Sequence, residues 1–171
     1  MAKKVLLVIE MQNDYLWEKR KQKFPYDTET LVSAVNSAIA EAEAAGTDVI
    51  CLMQVFPDTP TNHLVFGFCI EQTEGVKLYA GLHAEHAKQI EKNTADPYLS
   101  AEFAKYVSAQ GYDEFLLCGI DEYGSISGAA KAIAQHGAAV TILKACTATR
   151  FPANKLIPVR NELKQLGVIY K

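Results

Sequence analysis

Several things are scarce in this sequence of 171 residues. Cysteine occurs four times, at Cys51, Cys69, Cys118 and Cys146, and no two of them form a CxxC pair. That excludes a CxxC redox centre and the paired-cysteine zinc modules. Cys51 and Cys118 sit inside apolar runs, so reduced, buried thiols in a cytoplasmic protein are expected rather than disulfides. No stretch approaches the ~20 apolar residues of a membrane span. Lys3 and Lys4 precede only a short apolar run broken by Glu10, so no signal peptide is expected. Basic blocks of five or more are missing and the net charge is −3, which leaves no footprint for nucleic acid. The densest basic cluster, Lys19, Arg20, Lys21 and Lys23, reads as a solvated loop. Internal repeats and low-complexity tracts are also lacking.

What the chain does have is a large apolar share, 49%, enough for one substantial core over residues 1–171. Short apolar runs at 4–9, 48–53 and 114–119 suit strands buried on both faces. Weaker strands are expected at 87–92, 138–143 and 168–170. Helical spacing covers 28–45, with Thr28 as N-cap and Gly46 at the C-cap, and 100–110, 123–136 and 158–166. This alternation predicts an α/β fold: a doubly wound, Rossmann-like, mainly parallel sheet of about six strands with helices on both faces. Residues 54–81, rich in proline and glycine and without a clear period, form a long connection of the functional kind. Ligands of open parallel sheets bind at the carboxyl ends of the strands. Glu10, Gln54, Lys92 and residues 119–125 all lie there.

Four segments resemble the isochorismatase-like superfamily of cysteine hydrolases, which includes nicotinamidases. Glu10-Met11-Gln12-Asn13-Asp14-Tyr15 is similar to its opening turn, an aspartate, any residue, Gln-Asn-Asp and an aromatic. Lys92, ahead of Ser100-Ala101-Glu102-Phe103, falls where the family keeps its lysine. Gly119-Ile120-Asp121-Glu122-Tyr123-Gly124-Ser125 resembles the nucleophile turn, and Cys69 to Gly75 a loop of nicotinamidase relatives. The resemblance implies a catalytic set of Glu10, Lys92 and Ser125 and substrate contacts at Tyr15, Phe56 and Glu122. It also implies oxyanion donors on the backbone near Glu122 and Ser125, a cis peptide within Ile120-Asp121-Glu122, no cofactor and a homo-oligomer. Tyr15, Trp17, Phe66 and Phe68 either wall a pocket for a flat molecule or anchor loops.

Two members of the implied triad are substituted. Glu10 stands at the family's aspartate and Ser125 at its cysteine. A thiol ionises near ~8.5 and an alcohol several units higher, so a helix terminus that activates the one leaves the other protonated. Ser125 therefore reads either as a nucleophile or as a turn residue. Metal-binding nicotinamidases carry an aspartate and histidines after the second strand; here Gln54-Val55-Phe56-Pro57 follows, and His63 alone cannot hold a divalent ion. No metal is expected. The function expected is hydrolysis of a small amide or vinyl ether, and the alternative is a catalytically silent relative that binds a small ligand or a protein.

Overall fold

The computed structural model describes residues 2–171. Strand β1 (Lys4–Ile9) runs through the centre of one six-stranded, wholly parallel sheet of order β3-β2-β1-β4-β5-β6. β2 is Asp48–Gln54, β3 Lys88–Lys92, β4 Glu114–Gly119, β5 Ala139–Thr147 and β6 Ile169–Tyr170. The helices are α1 (Asn13–Leu16), α2 (Thr28–Ala44), α3 (Pro60–Val65), α4 (Ala101–Gln110), α5 (Ser127–Gln135) and α6 (Ala153–Gln165).

The continuous apolar run of β1 is explained by cover on both faces. Leu6 and Val8 pack with Leu31, Val35 and Ile39 of α2. Val5, Leu7 and Ile9 pack with Phe103 of α4, Ile133 of α5 and Leu163 of α6. Strand order reverses between β1 and β4, and a parallel sheet opens its crevice at that point. Ile9 pairs with Gly119 and Gln54 with Lys92, so the residues that leave these strands emerge side by side. Gly119 permits this closeness: its φ is +107°, and a Cβ there would lie 2.2 Å from the Ile9 carbonyl oxygen.

Three element boundaries differ from the sequence reading. α2 is capped by Asp27, whose carboxylate accepts from the Thr30 N–H at 3.2 Å; Thr28 instead donates its hydroxyl to the Leu16 carbonyl. The helix expected from Tyr123 opens with a π-type turn, Glu122–Ile126, before α5. α6 starts at Ala153, so Pro158 lies within the helix rather than at its head. Residues 54–81 are also more ordered than their composition suggests. They hold α3, a parallel bridge between Phe56 and Ile70, and an antiparallel bridge from Leu78 to Gln12.

Candidate active site

Glu10 is the first residue past β1 and adopts a left-handed φ of 56°. A carboxylate residue with a Cβ is uncommon in that region, and such conformations gather at functional positions. The neighbouring amides hold it there: the Glu10 N–H donates to Leu52 O and the Gln12 N–H to Glu10 O, both at 2.8 Å. The side chain, 5% exposed, is the meeting point of the site. Lys92 Nζ, at the end of β3, lies 2.5 Å from Glu10 Oε1 and 3.1 Å from Gln54 Oε1. The Ser125 hydroxyl, from the turn after β4, donates to the same Glu10 oxygen. Three strands and one turn thus bring Glu10, Lys92 and Ser125 together. Lys92 has no exposed side-chain surface, so its ammonium depends on Glu10 and Gln54 for the solvation it has lost.

The Gln-Asn-Asp segment joins the long connection to this centre. Gln12 Oε1 accepts the Gln54 N–H at 2.8 Å, while its Nε2 donates to the carbonyls of Gln54 (2.9 Å) and Val76 (2.7 Å). Asn13 donates to Glu74 O at 2.8 Å. The Asp14 carboxylate accepts from Arg20 Nε at 2.9 Å and from the Cys69 N–H at 2.8 Å. A Cβ on residue 75 would sit 2.0 Å from Asp14 Oδ2, which accounts for Gly75. Sequence reading placed these residues in a motif but gave Gln12 and Gln54 no role.

The other expected contacts are distributed differently. Tyr15 is buried edge-on to Phe24 (4.9 Å) and Phe68 (5.5 Å). Burial, and then the Glu10 charge, push its phenol well above the ordinary range. Phe56 is half-buried and stacks on Phe66 at 3.9 Å, continuing the same aromatic wall. Glu122 is not brought to the triad. Its carboxylate is clamped by Arg160 of α6 at 2.6 and 2.8 Å, and its N–H is spent on Ala148 O at 3.0 Å. That N–H is therefore unavailable as an oxyanion donor. Asp121, one residue earlier, is joined to Ile120 by a cis peptide, within the segment where the resemblance implied one. Its carboxylate ties down the turn by accepting from Tyr26 (2.9 Å), Thr149 (2.7 Å) and the N–H groups of Tyr123 (2.9 Å) and Arg150 (2.8 Å).

The Isochorismatase domain model matches residues 4–161. The chain belongs to the isochorismatase family. Among solved structures it is similar to the pyrazinamidase of Pyrococcus horikoshii in complex with zinc, at 19% identity and a TM-score of 0.80 over 99% of this chain and 98% of that one. It is similar to PnC1 of L. infantum in complex with nicotinate, at 19% and 0.84 over 99% and 92%. It is also similar to the N-carbamoylsarcosine amidase of Thermoplasma acidophilum, at 16% and 0.82 over 99% and 95%. No curated protein sequence matches significantly. At these identities the likeness of structure speaks for the fold. For this family member the residues do not fit zinc. Gln54 gives its oxygen to Lys92, Phe56 offers no ligand atom, and His63 pairs with Asp58 at 2.7 Å on the surface. Among the described residues no group of three His, Cys, Asp or Glu side chains is placed around a common point.

Proposed function

We propose that this family member hydrolyses a small amide, with Ser125 as nucleophile, Glu10 as proton acceptor and Lys92 as the charge that holds Glu10 in place. One observation carries the reading: Glu10 Oε1 receives both the Lys92 ammonium and the Ser125 hydroxyl. In the reaction Ser125 Oγ forms a bond to the carbonyl carbon while its proton passes to Glu10. The C–N bond then breaks, the leaving amine takes that proton, and water releases the acyl group by the reverse path. Because both neighbours donate to Glu10, the geometry favours an acceptor over the general acid that a vinyl ether would need. The alcohol is a weaker acid than the family's thiol, so turnover is slow.

A second reading, a silent ligand-binding relative, is favoured by Tyr15 and Tyr26. Both are buried near Glu10, at 7% and 4% exposure, and fill space beside the turn. A panel of nicotinamide, pyrazinamide and N-carbamoyl amino acids, followed by product chromatography, separates the two. Slow turnover that disappears in Ser125→Ala and Lys92→Met is expected. Equal inactivity of wild type and both variants, with ligand still bound, would leave the silent relative standing. The partner in either case is a small molecule. A homo-oligomer and a cytoplasmic setting belong to the same proposal. No helix among the described residues is long and apolar enough to cross a membrane.

A further inference from the structure

Three cations gather on the aromatic wall beside the Ser125 turn, and only one has a carboxylate. Arg20 is paired with the buried Asp14 at 2.6 Å. Lys23 Nζ donates to the Phe66 carbonyl at 2.8 Å and stands 4.5 Å from the Phe68 ring centre and 5.7 Å from that of Phe24. The Arg150 guanidinium stands 5.1 Å from both Phe24 and Phe151 and donates to the Lys23 carbonyl at 3.2 Å. Among the described residues neither Lys23 nor Arg150 makes an ion pair. The loop that sequence reading left to solvent is therefore docked, and it brings unneutralised charge to one place.

That place adjoins the proposed centre. The Arg150 N–H bonds Asp121, which also caps the turn carrying Ser125. Phe151 lies 4.6 Å from Tyr123, two residues before Ser125. Phe24, beneath both cations, packs on Tyr15, whose phenol feels the Glu10 charge. Burial, then Arg20 and Arg150, lower the Lys23 ammonium's affinity for its proton, and the Asp14 charge offsets this only in part. An anionic group arriving between Lys23 and Arg150 would relieve that repulsion, and a flat ring attached to it would meet aromatic faces.

Resting on the small-molecule reading above, we propose that Lys23 and Arg150 bind an anionic substituent that the ligand carries apart from its amide, and make the site select planar amides bearing a carboxylate over their neutral counterparts. The test compares 3- and 4-carbamoylbenzoate with benzamide and nicotinamide by NMR titration of the intact protein, following the amides of Tyr123, Gly124 and Ser125. Wild type should hold the carboxylates about tenfold more tightly, the scale of one charge-assisted hydrogen bond, and the gap should narrow as salt is raised. Lys23→Gln and Arg150→Gln should each shrink the preference several-fold, and Lys23→Glu should reverse it. Lys19→Gln, in the same loop but over Trp17, should leave it intact. All three positions are exposed, so the four variants should fold, which unfolding curves check. If the neutral amides move the same signals with equal affinity, or if Lys19→Gln acts like Lys23→Gln, the inference is overturned while the small-molecule site survives. If no probe of either charge moves those signals, the small-molecule reading falls, and this inference with it.

Discussion

A single carboxylate oxygen carries most of the chemistry proposed for this chain. Glu10 is one methylene longer than an aspartate and leaves β1 in a left-handed conformation, φ 56°. Ser125 is one element short of a thiol. The two side chains meet at the same hydrogen bond, so they are best tested together. Ser125→Cys should yield a thiol alkylated faster than Cys51, which burial pushes up to about 12, and faster than Cys118, which burial pushes well above the ordinary thiol range. Glu10→Asp with Ser125→Cys should raise amide turnover above the wild-type level, measured on nicotinamide by product formation. A thiol at 125 no more reactive than the two buried ones would separate Ser125 from the nucleophile position.

At the scale of elements, the turn after β4 depends on a close pass between two strands. Gly119→Ala would put a Cβ into the Ile9 carbonyl at a φ that side chains avoid. A loss of at least about 2 kcal/mol in urea unfolding is expected, with amide shifts concentrated around Glu10 and Ser125. Stability equal to wild type would mean that the pass is looser than described. β1 and β4 were legible in the sequence because a strand covered on both faces needs an uninterrupted apolar run. Glu10 was legible because a carboxylate that ends such a run needs a reason to be there. The start of α6 was not, because Pro158 resembles a first-turn proline, and nothing local shows that Ala153 begins the helix. The π-type turn at Glu122–Ile126 left no periodic trace either. Arg160 and Tyr26 were invisible as site neighbours: each reaches the turn across the fold, 38 and 95 residues from its partner.

For the whole molecule, burial makes two statements that solution work can check. Tyr15, Tyr26, Cys51, Cys69 and Cys118 are all held protonated in the folded chain to higher pH than when free, chiefly because burial disfavours their anions. Above the free-thiol and free-phenol range the unfolded chain therefore binds fewer protons than the native one, and stability falls as pH rises. Urea midpoints should hold steady up to about pH 8.5 and decline through pH 10 and beyond. A midpoint flat to pH 11 would contradict the burial of these groups. The second statement concerns zinc. Protein purified without chelator should carry far less than one equivalent by elemental analysis, because three protein ligands are wanting. A stoichiometric ion would sink that expectation.

Asp14 ties its own turn to the distant long connection: Arg20 on one side, the Cys69 amide on another, and Gly75 pressed against its oxygen. A side chain at 75 has room only if the carboxylate leaves, and the carboxylate can leave only if Arg20 and the Cys69 N–H find other partners. Mutational drift at these sites is thus ratcheted: no one of them changes cheaply while the other two stay. The loop from 54 to 81 is thus tied down at the Asp14 seam as well as at Gln54 and Val76, where Gln12 holds it.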